Sequence, residues 1–133
     1  WTDKSVTTGK TYYYKVKAKV ALENTTKESG YSKAVSGKAV PAKTTVKTAL
    51  KNSKVKVSWK KVSGANGYEI VRSTKKDKGY KKIKTIKKGS AKTYTDSKTK
   101  SGKTYYYKIR AYRNVNGKKV YGSYSKVVSR KVK

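Results

Sequence analysis

Residues 94–133 repeat residues 1–40 without a gap at a spacing of 93, and 16 of the 40 aligned positions are identical. Thr2-Asp3 returns as Thr95-Asp96. Gly9-Lys10-Thr11-Tyr12-Tyr13-Tyr14-Lys15 returns as Gly102-Lys103-Thr104-Tyr105-Tyr106-Tyr107-Lys108, and Tyr31-Ser32-Lys33 as Tyr124-Ser125-Lys126. A fixed period marks an array of like units. Here the unit has the size of a small domain, so the array is a string of beads, not a solenoid. The division that follows is one whole unit at 44–133, a short linker at 41–43, and residues 1–40 as the last part of an earlier copy. The chain is then expected to be a piece of something longer.

The composition sharpens this. Lys and Arg number 37 against six acids, a net charge of +31, with no His, Cys, Met or Phe and 13 Tyr. Such charge at such low hydropathy is typical of disordered chains. The apolar residues are patterned, however, and their number suits one modest core. No apolar run approaches the ~20 residues of a membrane span, so no membrane insertion is expected. Absence of Cys excludes a disulfide scaffold and a thiolate metal site. It fits an extracellular protein, and equally a cytosolic one.

Lys54-Val55-Lys56-Val57-Ser58-Trp59 alternates charged or polar with apolar side chains, a strand with Val55, Val57 and Trp59 on one face. After the turn Gly64-Ala65-Asn66-Gly67, the run Tyr68–Arg72 buries Tyr68 and Ile70 in the same way. Tyr80–Ile86 alternates again, with Ile83 and Ile86 as core contacts, and a short strand passes through Thr93–Thr95. Lys103–Tyr112 is the longest strand. Tyr105, Tyr107, Ile109 and Ala111 share its inner face, and Tyr106, Lys108 and Arg110 its outer face. Asn116-Gly117 supplies the positive-φ pair of a tight hairpin. The return strand runs from Val120 through Tyr124 and on from Val127 to Val132. With Thr44–Leu50 as the first, this makes seven strands and no helical period: an all-β, two-sheet antiparallel sandwich.

These residues resemble a fibronectin type III module. The resemblance is carried by Trp59, by Gly64-Ala65-x-Gly67-Tyr68, and by Gly102-x-x-Tyr105-x-Tyr107-x-Ile109-x-Ala111. It covers 42–133 as a whole module and 1–40 as the last three strands of a second. It implies that Trp59 centres the core and that Tyr105, with Tyr12 in the partial copy, forms a tyrosine corner. The Lys-rich, Cys-free style is similar to modules of Gram-positive bacterial surface and secreted proteins. A cell-surface or secreted location is therefore implied, with neighbouring modules of the same kind as partners within the chain. No Arg-Gly-Asp stands at the Val115–Lys118 hairpin tip, so adhesion through that motif is not implied.

Residues 1–40 lack the strands that would precede them, and nothing in the segment replaces Trp59 and Tyr68 as a packing mate for Tyr14, Val16 and Ala18. Such a half-built face is left exposed. Either the segment begins mid-domain, or another chain supplies the missing strands and the protein self-assembles through residues 1–40.

Little catalytic chemistry is open to this composition. Without His or Cys there is no Ser-His-Asp triad, no Cys-His dyad, and no nitrogen- or sulfur-liganded metal. The whole module has only Glu69, Asp77 and Asp96 as acids, on separate elements, where glycoside hydrolysis needs two carboxylates at one cleft. Ser-x-x-Lys occurs five times, as at Ser73/Lys76 and Ser123/Lys126, a number chance nearly supplies in so Lys-rich a chain. No enzyme activity and no cofactor is expected.

Charge is the stronger signal. Residues 42–133 carry 29 Lys/Arg against three acids, and Lys75, Lys76, Lys78, Lys81, Lys82, Lys84, Lys87 and Lys88 fall within 14 residues. This run is a candidate polyanion-binding patch for an anionic wall polymer such as teichoic acid, or for sulfated glycans. Edge-strand Lys is also a device against sheet-edge aggregation. Lys without Arg argues against base readout, so sequence-specific nucleic-acid binding is not expected. The outward tyrosines Tyr13 and Tyr106, with Tyr112 and Tyr121, are a candidate sugar-stacking platform, against the simpler reading of cross-strand aromatic pairing.

Overall fold

The computed structural model describes residues 1–133, which form strands and turns without helix and divide into two units, Trp1–Ala39 and Val40–Lys133. In the first unit β1 (Thr11–Tyr14) pairs antiparallel with β4 (Val35–Lys38), and β2 (Lys19–Leu22) with β3 (Thr25–Glu28). In the second unit β5 (Val46–Lys51), β6 (Lys54–Trp59) and β9 (Thr93–Asp96) form a three-stranded sheet with β6 central. The other sheet contains β7 (Gly67–Ser73), β8 (Lys81–Ile86), β10 (Thr104–Val115), β11 (Lys118–Tyr121) and β12 (Val128–Lys131). Its order is β11-β10-β7-β8, with β12 pairing the start of β10, and every pairing is antiparallel.

The core lies between these two sheets. Val46, Val55, Val57 and Trp59 come from one side, and Tyr68, Ile70, Tyr105, Tyr107, Ile109 and Ala111 from the other, each no more than 9% exposed. Trp59 and Tyr68 meet at 5.3 Å between ring centroids, tilted by 56°. Tyr68 keeps its hydroxyl satisfied while buried, accepting from the Val62 amide at 2.9 Å and donating to the Gly89 carbonyl at 3.1 Å. On one side the sheets are tied together by the Thr48 hydroxyl donating to the Ser129 carbonyl at 3.0 Å and by Arg130 donating to the Thr48 carbonyl.

Several expectations are corrected in detail. The return strand is interrupted: β11 pairs Tyr112–Val115 and β12 pairs Thr104–Tyr107, with Gly122–Val127 unpaired by strand ladder between them. Ile83 and Ile86 both pack on the core although three positions apart, which strict alternation forbids. A bulge resolves this, since Ile70 faces Lys84 and the next residue, Val71, faces Lys82, leaving Ile83 as the extra residue. The expected linker at 41–43 begins with a buried Pro41, whose carbonyl lies against Gly122 within the second unit.

The first unit reproduces the second at the 93-residue offset, hydrogen bond for hydrogen bond. Thr11 pairs Lys38 as Thr104 pairs Lys131, and Lys19 pairs Glu28 as Tyr112 pairs Tyr121. The Ser32 amide donates to the Val16 carbonyl at 2.8 Å, as the Ser125 amide does to that of Ile109. The Tyr12 hydroxyl accepts from the Thr7 amide at 2.8 Å and the Tyr105 hydroxyl from the Lys100 amide at 3.1 Å, so both copies hold the same tyrosine corner. The three strands expected for residues 1–40 nonetheless appear as four. In the second unit β7 pairs Tyr106–Tyr112 and bridges the segments held by β12 and β11, making β10 one strand. Nothing stands in β7's place in the first unit, so 15–18 lack a ladder partner and the strand divides.

Gly67 makes a close approach possible: a Cβ there would stand 2.1 Å from the Ile86 carbonyl oxygen and 2.5 Å from the Tyr112 hydroxyl. Gly67→Ala is therefore expected to push β8 from β7 and destabilise the second unit by about 1–3 kcal/mol, read by denaturant unfolding.

Candidate functional site

The Lys run folds into a turn and an edge strand. Lys75, Lys76 and Lys78 lie in the turn between β7 and β8. That turn is fixed by the Ser73 hydroxyl, which donates to the Lys78 carbonyl at 2.6 Å and accepts from the Lys75 amide at 3.0 Å. Gly79 takes a φ of 73°, and the Tyr80 hydroxyl donates to the Lys76 carbonyl at 2.7 Å. Lys81, Lys82 and Lys84 follow on β8, which pairs only with β7, and Lys87 and Lys88 lie just beyond it. All eight side chains are exposed, and none is ion-paired; the four salt bridges lie elsewhere.

The acids of the second unit are dispersed. Asp96, 2% exposed, accepts from Arg72 at 2.7 Å, from the Tyr107 hydroxyl at 3.0 Å and from the Lys98 amide at 3.1 Å. Burial first, then the Asp96 charge, raises the Tyr107 hydroxyl well above the usual tyrosine range and keeps it a donor. The first unit keeps the pair: the Tyr14 hydroxyl donates to Asp3 at 3.0 Å. Glu69 accepts from Arg110 at 2.7 Å and from the Tyr124 hydroxyl at 2.7 Å. Burial alone would raise the Glu69 carboxyl, but Tyr124 and Arg110 outweigh it and hold it below its ordinary value. Burial, followed by the bond to Glu69, pushes Tyr124 up to about 12. Asp77 is exposed in the Lys-rich turn.

Around Glu69 the outer face of the larger sheet carries alternating rings and cations that single-strand reading misses. Lys108 Nζ stands 3.9 Å from the Tyr80 centroid and 5.3 Å from that of Tyr124. The Arg110 guanidinium follows at 4.5 Å from Tyr124 and 3.9 Å from Tyr121. The signal available in the sequence was the outward set Tyr106, Lys108 and Arg110; the rings that complete it come from β11, the loop after it, and the residue before β8. Tyr106 is half-buried on this face, and Tyr13, its equivalent, is 75% exposed. Tyr112 does not join a surface platform. It is 2% exposed because Gly67, its partner on β7, has no side chain and leaves room for its ring, which Tyr121 covers at 5.8 Å.

In the first unit Trp1, Tyr12, Tyr14, Val16 and Val35 line an open groove of about 680 Å³. Val16 is 71% exposed where its equivalent Ile109 is fully buried, and Val35 is 66% exposed.

Two tests follow. Asp96→Ala strands Arg72 and Tyr107 without an acceptor and should cost about 3–5 kcal/mol in denaturant unfolding. Because the folded Glu69 carboxyl titrates below its ordinary 4.5, its stabilising contribution is present above that pH and lost as pH falls through the depressed value. Glu69→Gln should therefore flatten the acid limb of stability between about pH 5 and pH 3, measured by thermal unfolding.

No protein-family model matches the chain, and no curated protein sequence matches it. Solved structures do. The chain is similar to a Fn3-like protein from Clostridium thermocellum at 31% identity and a TM-score of 0.54, over 68% of this chain and 88% of that one. It is similar to the chicken CNTN1 FN1-FN3 domains at 20% identity and a TM-score of 0.58, over 98% of this chain and 43% of that one. It also shares its fold with part of pectate lyase PelI from Erwinia chrysanthemi, at 23% identity and a TM-score of 0.55, over 66% of this chain and 27% of the lyase.

Proposed function

Since the chain belongs to the fibronectin type III family, we propose that it is a non-catalytic spacer module of a cell-surface or secreted multi-domain protein, touching an anionic wall polymer through its Lys-rich edge. The observation that carries the binding part is the set of eight exposed, unpaired ammonium groups on one turn and one edge strand. A bare edge of this length serves solubility alone with fewer charges. A row of unpaired cations instead attracts a polymer of phosphates by releasing its counterions. The non-catalytic part is supported by the engagement of Glu69 and Asp96 in hydrogen-bonded ion pairs on opposite sides of β7.

The test is binding of 1–133 to inorganic polyphosphate across a salt series. Affinity should fall steeply as salt rises, and Lys81→Gln/Lys82→Gln/Lys87→Gln/Lys88→Gln should weaken it at least about tenfold at low salt. An unchanged affinity in that variant removes the binding part and leaves the spacer.

One observation favours a second reading, a filament subunit. The groove of the first unit is apolar and exposed at Val16 and Val35, where the second unit covers the equivalent residues with its own strands. Strands from another chain would cover it equally well. Size-exclusion chromatography with light scattering should then give an oligomer that survives high salt; a monomer at low and high salt overturns this reading.

A further inference from the structure

We infer that the outer sheet face around Tyr106 and Lys108 binds a linear polysaccharide of carboxylate-bearing sugars, and that Tyr13 and Lys15 form a second copy of the same surface. The inference rests on the polyanion reading above and names its ligand class and a face distinct from the β8 edge.

Comparison of the two copies carries it. Where the fold requires a residue, the copies agree: Asp3 and Asp96, Gly9 and Gly102, Tyr12 and Tyr105, Tyr14 and Tyr107, Ser32 and Ser125. Where it does not, they diverge, and none of positions 19–30 matches its equivalent in 112–123. Tyr13/Tyr106, Lys15/Lys108 and Tyr31/Tyr124 face outward, hold no core position, and are identical nonetheless. The cation over the last ring is kept as well, Lys17 over Tyr31 at 5.3 Å and Arg110 over Tyr124 at 4.5 Å.

The geometry specifies what fits. Tyr80, Tyr124 and Tyr121 have cations over their rings, so those faces are taken. The Tyr106 ring has neither a cation nor another ring against it, and it stands two residues from Lys108 on the same strand face. Lys108 has no carboxylate partner. One open aromatic plate beside one free ammonium matches the C–H face of a sugar ring and the carboxylate that ring bears. A single-stranded nucleic acid needs successive open rings for successive bases, and only one is open here.

The experiment is calorimetric titration of 1–133 with alginate oligomers, alongside polyphosphate and an oligothymidylate of equal charge. Alginate should bind, Tyr106→Ala and Lys108→Gln should each weaken it about tenfold, and the four-lysine edge variant should weaken it less than about threefold. Lys108→Gln keeps the strand and removes only the charge, so it decides the matter if Tyr106→Ala unfolds. Unchanged alginate affinity in Lys108→Gln overturns the inference. So does oligothymidylate binding as tightly and lost in the same variants. Polyphosphate binding without alginate binding overturns the inference and leaves the edge reading standing, whereas no binding of any polymer defeats both.

Discussion

The buried carboxylate of Asp96 is the contact on which the second unit most depends. It stands at the end of β9, in the smaller sheet, and takes hydrogen bonds from Arg72 on β7 and Tyr107 on β10, in the larger one. A charge this deeply buried is tolerated only with such partners, and removing one leaves the others unpaired in a medium that does not solvate them. It therefore fixes the relative placement of two sheets whose apolar contacts alone are less particular about register. The Asp3–Tyr14 bond shows the same device surviving where two of the three strands are absent.

The excess of positive charge makes these few acids valuable. At +31 the chain repels itself, and compaction works against that repulsion. The second unit responds by spending its two buried acids on two of its arginines and by laying Lys108 and Arg110 over tyrosine rings. The rest of the charge stays at the periphery, on turns and on the β8 edge, where water screens it.

Most of the fold was legible because period-2 alternation is a local property. Val55-x-Val57-x-Trp59 and Tyr105-x-Tyr107-x-Ile109-x-Ala111 declare their faces without reference to anything else. Asn116-Gly117 declared its hairpin in the same way, with φ of 47° and 74°. What escaped depends on a partner strand. The bulge at Ile83 is a matter of register with β7, the burial of Tyr112 a matter of the missing side chain at Gly67, and the division of the 11–22 strand a matter of absent β7 pairing. For the candidate site, the Lys run could be read as a run. The ring–cation face could not, because Tyr80, Lys108 and Tyr124 are brought together only by the sheet.

The matching hydrogen bonds of the two units bear finally on the order in which such a module folds. Residues 11–38 adopt the register of residues 104–131 with no β5–β9 equivalent to guide them. The information for that register is therefore held within the hairpin itself, in contacts of short sequence separation. Contacts of this kind close early, before the long loops that join the two sheets. The carboxy-terminal hairpin is thus the natural nucleus on which β7, and then the smaller sheet, condense. The highest φ-values should fall on Tyr105 and Ser125 and the lowest on Val55 and Val57, and the reverse order would exclude it.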